Sequence, residues 1–475
     1  MNQIPVKDVT HKSSQAKAAA ETYDLYAKRE HIYVKFYKGL FRNLRIISGF
    51  IMLAAYFGFS WLQWDGHQAV LFDLPNRQFY VFGMTFWPQD FMLLSFLLII
   101  LAFVLFLVTA VAGRLWCGYA CPQFVWTWFF IWAERICEGD RNQRMKRDKA
   151  PWTAEKAVRK SIKHVLWLLI AAATAVAFVG YFSPIRELIP DVLSWNLGPW
   201  ETWWLGFFLL ATYGNAGWLR EQVCIYMCPY ARFQSVMFDQ DTLVISYDEK
   251  RGEPRGKRKK GSDYKAQGLG DCIDCGNCVH VCPVGIDIRD GLQYECVACG
   301  ACIDACDDVM KRMGYEPGLI RYTTEHALEG KTTHLLRPRL IGYALVLATM
   351  LAAFAYTIAT RIPLEVDVLR DRGPLFTQTS DGKVENSYTL KLANKGQENH
   401  RFKISVSGLD GLELVTDAEL NIAAGELAEV ALRLQADPDA LQHANYTITF
   451  HVSAIDDPSI SLDAESRFLG PAPRR

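Results

Sequence analysis

Two cysteine constellations carry the chemistry legible in this chain. The first reads D-C-I-D-C-G-N-C-V-H-V-C-P, then after a spacer E-C-V-A-C-G-A-C-I-D-A-C-D, from Cys272 to Cys306. Each half has the spacing C-x2-C-x2-C-x3-C. Two-residue gaps let a tight loop present successive sulfurs to different irons of one cubane, and the fourth cysteine ligates the other cluster. The expected sets are Cys272, Cys275, Cys278 with Cys306, and Cys296, Cys299, Cys302 with Cys282, holding two [4Fe–4S] clusters. A zinc ribbon also uses C-x2-C pairs, but it needs four thiolates per metal and usually a longer spacer. A disulfide framework would need an oxidising compartment. Pro283 follows the first run and Asp307 the second, a departure that removes no ligand.

The second constellation is a duplication, L-W-C-G-Y-A-C-P at Cys117 and Cys121 and Q-V-C-I-Y-M-C-P at Cys224 and Cys228. Both are C-x-Y-x-C-P. Cysteines at i and i+4 share a helix face, and the following proline tends to end or kink the preceding helix. Each motif could present two thiols at a helix end, and the repeat could bring four together. Soft thiolates select Cu(I), zinc or iron–sulfur. The bland alternative is that they are small buried residues in a packed bundle. Two matched pairs beside an electron-transfer module favour metal or redox function. Cys137 reads as an incidental thiol. His280 reads as a solvent-facing or supporting residue of the cluster loop, and His164 as interfacial. Arg114, Arg220 and Glu221 flank the motifs and read as snorkelling or interfacial groups able to lower thiol pKa.

Apolar segments must position these motifs. Ile46–Leu62, Phe91–Ala112, Ile162–Phe182, Trp200–Leu219 and Leu340–Thr360 are the expected spans, judged against the ~20 apolar residues a bilayer needs. The 14 tryptophans suit membrane interfaces. Each C-x-Y-x-C-P motif follows an expected outside-to-inside helix and precedes a short apolar segment, Gln123–Ile136 in the first case, as in a parallel repeat. Basic residues crowd the N-terminal segment (Lys28, Arg29, Lys35, Lys38, Arg42, Arg45), residues 135–163 and the linker Arg251–Lys260. The loops 63–90 and 183–199 each hold a single one, Arg77 and Arg186. Basic loops stay cytoplasmic, so the N-terminus and cluster module are expected inside, and those two loops and the C-terminus outside. Residues 1–45 lack an apolar signal-peptide core. Net charge is zero and points to no partner class; no nucleic acid is expected.

After about residue 361 the period changes to two. Tyr388, Leu390 and Leu392 alternate with polar residues, as do Phe402, Ile404 and Val406, then Val430, Leu432 and Leu434, then Tyr446, Ile448, Phe450 and Val452. Half-buried strands with turn signals at this spacing predict an immunoglobulin-like β-sandwich. The sequon at Asn445 is a three-residue match and carries little. The expected architecture is a multidomain integral membrane protein. Residues 1–45 form a cytoplasmic segment, 46–239 a transmembrane helical domain and 240–339 a cytoplasmic dicluster ferredoxin domain (α+β). A final helix follows at 340–360, then a periplasmic sandwich at 361–475.

This combination resembles the cytochrome c oxidase accessory protein family called FixG, RdxA or CcoG. The resemblance rests on W-C-G-Y-A-C-P, C-I-Y-M-C-P and the eight-cysteine run, and covers essentially the whole chain. It implies a bacterial inner-membrane protein that reduces Cu(II) to Cu(I) for assembly of a cbb3-type oxidase. Copper would then be substrate or bound ion at Cys117, Cys121, Cys224 and Cys228. Partners would be membrane lipid, an electron donor, and oxidase assembly factors or copper chaperones. Two other readings stay open: a quinol-oxidising membrane ferredoxin without copper chemistry, and a scaffold whose clusters are structural.

Overall fold

In a computed structural model the described residues are 31–471, apart from Asp65, Leu335, Arg372, Gln397 and Asp417. Lys28, Arg29 and most of the reading of residues 1–45 lie outside them. The chain divides into two compact units, one of residues 1–61 and 96–351 and one of residues 62–95 and 352–475.

The helices of the first unit include Leu40–Gly58 (α1), Phe91–Ala112 (α2), Leu115–Tyr119 (α3), Pro122–Glu138 (α4), Ala154–Val179 (α5), Pro199–Thr212 (α6) and Pro229–Met237 (α7). Ala301–Met313 (α8) belongs to the cluster module, and Pro338–Ala359 (α9) leads out of the unit. Among the described residues four helices, α1, α2, α5 and α9, are long and apolar enough to cross a membrane by length and composition. α1 begins six residues before the expected span at Ile46, taking Arg42 and Arg45 into the helix. α5 begins at an N-cap where the Thr153 hydroxyl accepts the Lys156 N–H at 3.2 Å. The fourth expected span, Trp200–Leu219, is interrupted. α6 passes into a π-helical turn at Tyr213–Leu219, where Gly214, Asn215 and Gly217 weaken regular α-helical pairing. α4 and α5 pack through Phe130, Ala133, Trp167 and Ala171, and the Trp167 indole donates to the Phe130 carbonyl at 3.1 Å.

The cluster module is closed by one antiparallel strand pair, Val244–Tyr247 with Ile320–Thr323, in the register Val244 to Thr323 and Tyr247 to Ile320. Its apolar core joins Ile245, Tyr247, Ile288, Ile303, Met310 and Leu319 to Cys272 and Cys278.

In the second unit two antiparallel sheets pack face to face. One has the order 413–414, 427–436, 384–394, 364–370, with 377–378 on the 384–394 strand; the other runs 419–422, 400–407, 445–454, 461–469. The period-two residues lie inside as expected: Tyr388, Leu390, Phe402, Leu432, Ile448 and Phe450 are wholly buried. Residues 63–90, expected only as a polar loop, form a three-stranded sheet of Val70–Asp73, Gln78–Val81 and Met84–Phe86. This segment belongs to the sandwich's unit. The Asp90 carboxylate pairs with Arg361 at 2.7 Å and Lys395 at 3.1 Å.

Candidate iron–sulfur centre and adjoining thiols

The two halves of the eight-cysteine run fold alike. In the first, Asp274 (φ 51°) and Gly276 (φ 66°) are left-handed; in the second, Ala298 (φ 50°) and Gly300 (φ 71°) occupy the matching positions. Gly276 and Gly300 then N-cap the helices Asn277–His280 and α8. Left-handed backbone costs a residue such as alanine about 1–2 kcal/mol, so Ala298 holds local strain that its loop must offset.

Two cavities result. One is lined by Cys272, Cys275, Cys278 and Cys306 with Ile273, Val309 and Leu319. The other is lined by Cys282, Cys296, Cys299 and Cys302 with Val284, Ile286 and Ile288, and Cys278 also borders it. Each cavity thus gathers one of the crossed sets expected from spacing, with Cys278 at the edge of both. None of these thiols is in a disulfide. Burial pushes Cys278 up to about 12 and Cys296 up to about 11, and it raises Cys282, Cys302 and Cys306 as well. Such thiols stay protonated at neutral pH until metal replaces the proton. Soft donors, apolar walls and crossed thirds and fourths fit two [4Fe–4S] clusters. Only Cys275 of the eight is exposed.

The repeated motifs sit at helix junctions. Cys121 and Cys228 are both extended N-cap residues (φ −68° and −81°), each followed by a proline at the first position of α4 or α7. This is where proline is tolerated, because its missing N–H would have no helical partner. Cys117 lies in α3, whereas Cys224 lies in a π-helical turn, Val223–Met227, so the two copies differ in local geometry. Gln123 ties the first copy to the second, its amide donating to the carbonyls of Asn215 at 3.0 Å and Arg220 at 3.3 Å. Cys117 donates to Gln234 on α7 at 3.3 Å. Burial raises the Cys224 thiol, and the neighbouring Cys121, Cys117 and Cys228 add to the rise. Burial pushes Cys117 and Cys224 up to about 12 and raises Cys121. Arg114 opposes the shift at Cys117 and is outweighed, which corrects the expectation of lowered thiol pKa values. The four thiols are neighbours without being a preformed single-ion site: among the described residues no group of three or more His, Cys, Asp or Glu is drawn that close.

The first motif docks on the second cluster loop. A Cβ on Gly118 would lie 2.7 Å from the Ala298 carbonyl oxygen and 2.8 Å from that of Val297. Cys117 and Cys121 pack against the same core as Cys282 and Cys299. Tyr322 donates to the Ala298 carbonyl and lies 3.3 Å from the Tyr119 hydroxyl. Arg114 is not a snorkelling residue. It is buried, 4% exposed, and donates to the carbonyls of Tyr294, Ala231 and Cys296. Arg220 is equally buried and pairs with Glu134 at 2.6 Å. Glu134 also holds Arg144 at 2.8 Å, and Glu138 holds Lys163 at 3.2 Å. Glu134 fixes the second motif to α4 and Glu138 ties α4 to α5, and the sequence reading passed over both. Their signal was an i, i+4 acid pair inside the aromatic run of residues 124–138. Glu221 is buried too. His164 lies in an aromatic cluster, 2.9 Å from the Tyr213 hydroxyl. His280 serves through its backbone, accepting the Lys35 N–H at 2.8 Å.

A crossed eight-thiol module, a helical unit with four long apolar helices and a two-sheet tail define an iron–sulfur, oxidoreductase-like electron-transfer protein of membrane-associated type. Comparison with known proteins agrees. The family of 4Fe-4S dicluster domains matches residues 219–325, and the "IG-like fold at C-terminal of FixG" matches residues 354–471. The chain is 38% identical over 422 residues to the nitrogen fixation protein FixG of Rhizobium meliloti, covering 81% of this chain and 80% of that protein. Against RdxB of Cereibacter sphaeroides it is 43% identical over 408 residues, covering 83% and 85%. Against RdxA of the same organism it is 39% identical over 453 residues, covering 91% and 95%. The chain belongs to the FixG/RdxA/RdxB family.

Proposed function

We propose that this protein spans the bacterial inner membrane and reduces Cu(II) to Cu(I) for assembly of a cbb3-type oxidase. The observation that carries this reading is the contact of Gly118 with Val297 and Ala298. It seats Cys117 and Cys121 against the loop that would hold the second cluster. When bound, the clusters supply single electrons, at potentials their surroundings tune over about 1 V. Cu(II) needs one electron and no proton. The residues' part is to bind the metal and bias its oxidation state. Four neighbouring soft thiols favour Cu(I) over Cu(II), and a site closed only by the metal can release it to a carrier. Cys272, Cys275, Cys278 and Cys306 would hold one cluster, and Cys282, Cys296, Cys299 and Cys302 the other.

The orientation we infer has the N-terminal segment and cluster module in the cytoplasm and the sandwich in the periplasm. Loop basicity supports it. So does the folding of residues 63–90 into the same unit as the sandwich, since both are assigned to one face. The sandwich holds no cysteine and serves as a docking module for an assembly factor.

The test uses anaerobically purified, quinone-free protein, reduced and freed of excess reductant, with a chromophoric Cu(I) chelator. Wild type should form Cu(I) from Cu(II). Cys117→Ser with Cys121→Ser, or Cys224→Ser with Cys228→Ser, should abolish tight Cu(I) binding while iron content stays unchanged. Half the copper remaining in each double variant would mean two separate sites. Unchanged copper binding with lost iron would remove these cysteines from copper chemistry altogether.

A further inference from the structure

Between α1 and α4 lies a cavity that neither thiol set uses. Its apolar wall is built from Ile46, Phe50, Phe124, Trp128, Phe129 and Trp132. Its polar end carries Lys35, Arg42, Arg45, Arg135 and Arg144 against one carboxylate, Asp140. Three of these charged groups are already committed, Lys35 among them through the Asn277 amide oxygen at 2.9 Å. Arg144 pairs with Glu134, and Asp140 accepts the Phe36 N–H at 3.1 Å. Arg42 and Arg135 form no ion pair among the described residues, and their guanidinium groups lie over the Phe36 ring at 4.8 and 3.4 Å.

Arg45 is the deciding residue. It is 4% exposed, donates one hydrogen bond to the Tyr37 hydroxyl, and lies 4.2 Å over the Trp128 ring. Its Nε and Nη1 have no partner. A buried guanidinium with two idle donors is costly unless an acceptor arrives. An excess of positive charge asks for an anion, and idle guanidinium N–H donors suit phosphate oxygens. The apolar wall asks for a hydrocarbon body.

We propose that this cavity binds the phosphate of an anionic phospholipid, with its acyl chains running along Ile46 and Phe50 of α1 and Phe129 and Trp132 of α4. Basic pockets between membrane helices on the cytoplasmic side bind such headgroups. A neutral quinone would leave the charge excess unanswered. The proposal rests on the membrane reading above. Its consequence reaches the redox module, because Tyr37 and Phe124 beside Arg45 share a core with Cys282 and Cys299. A bound lipid braces the second cluster loop.

The full chain, in neutral detergent and phosphate-free buffer, is titrated by native mass spectrometry with phosphatidylglycerol, phosphatidylcholine, inorganic phosphate and a short-chain quinone. Phosphatidylglycerol should bind in preference to phosphatidylcholine. Arg45→Gln should weaken it about tenfold or more, Arg135→Gln should weaken it in the same direction, and Arg45→Lys should retain part of it. Equal binding of the two lipids overturns the proposal. So does unchanged binding in both Gln variants, or displacement of the lipid by the quinone. Displacement by inorganic phosphate at equal concentration would make the occupant a free phosphate, which also overturns it. If Arg45→Gln loses iron, Arg135→Gln decides. The membrane reading fails separately, if the protein fractionates as soluble without detergent; the lipid site fails if the protein is membrane-bound and both Gln variants still bind phosphatidylglycerol normally.

Discussion

Gly118→Ala adds one methyl group at the seam between the first thiol motif and the second cluster loop. Its Cβ would meet the Ala298 carbonyl oxygen at 2.7 Å, the Val297 oxygen at 2.8 Å and the Ala298 carbonyl carbon at 3.0 Å. All three are backbone atoms of one loop, so no side-chain rotation relieves them. Reaching an ordinary contact near 3.4 Å needs a separation of about 0.7 Å. The loop cannot yield freely, because Ala298 is left-handed and its carbonyl already accepts the Tyr322 hydroxyl. Overpacking of this kind costs about 1–3 kcal/mol. In a unit of this size that lowers the thermal midpoint by a few degrees. Two measurements are needed: thermal unfolding in detergent followed by cluster absorbance, and the initial rate of Cu(I) formation. Both should fall, with iron content near wild type. Wild-type stability together with a wild-type rate would show that the seam is not required, and the reasoning from close approach would be refuted.

Anaerobic reconstitution should give about eight irons per chain, and about four would contradict the two crossed cavities. Asp304 of α8 caps α1 from outside, its carboxylate accepting the N–H of Phe41 at 3.2 Å and of Arg42 at 2.7 Å. Asp304→Ala should therefore cost about 0.5–2 kcal/mol, read by urea or thermal unfolding, and an unchanged midpoint would remove this tie between α1 and the cluster module. Glu134→Gln leaves Arg220, Arg144 and Lys163 without their shared carboxylate and should cost about 3–5 kcal/mol. Its copper affinity should fall with its stability, since Arg220 lies between the two π-helical turns, just before the second motif. A stable Glu134→Gln protein would show that the buried cations find other partners.

The grouping of the eight cysteines around two cavities was legible because the spacing C-x2-C-x2-C-x3-C leaves the fourth sulfur out of reach of its own loop. The sandwich strands were legible because period two fixes which residues face inward, and Tyr388, Phe402 and Phe450 are wholly buried. Other features depend on partners far along the chain. Arg114 and Arg220 beside aromatic residues read as surface-seeking cations, since nothing local announces the Tyr294 carbonyl or the Glu134 carboxylate. Residues 63–90 read as a connection because each strand there is only three or four residues long. Their place in the sandwich's unit rests on Asp90 meeting Arg361 and Lys395. The break after Thr212 was hidden by hydropathy, which averages over Gly214, Asn215 and Gly217 and does not register a change of helix type.

The central claim is that electrons held by the cluster module reach copper at the neighbouring thiols. It is tested most directly by electron paramagnetic resonance on reduced, reductant-free protein mixed anaerobically with one equivalent of Cu(II). The account predicts that the Cu(II) signal and one equivalent of the reduced-cluster signal disappear together, and that both persist in the variant with serine at Cys117, Cys121, Cys224 and Cys228. A Cu(II) signal that persists in the wild type beside clusters that remain reduced would contradict it.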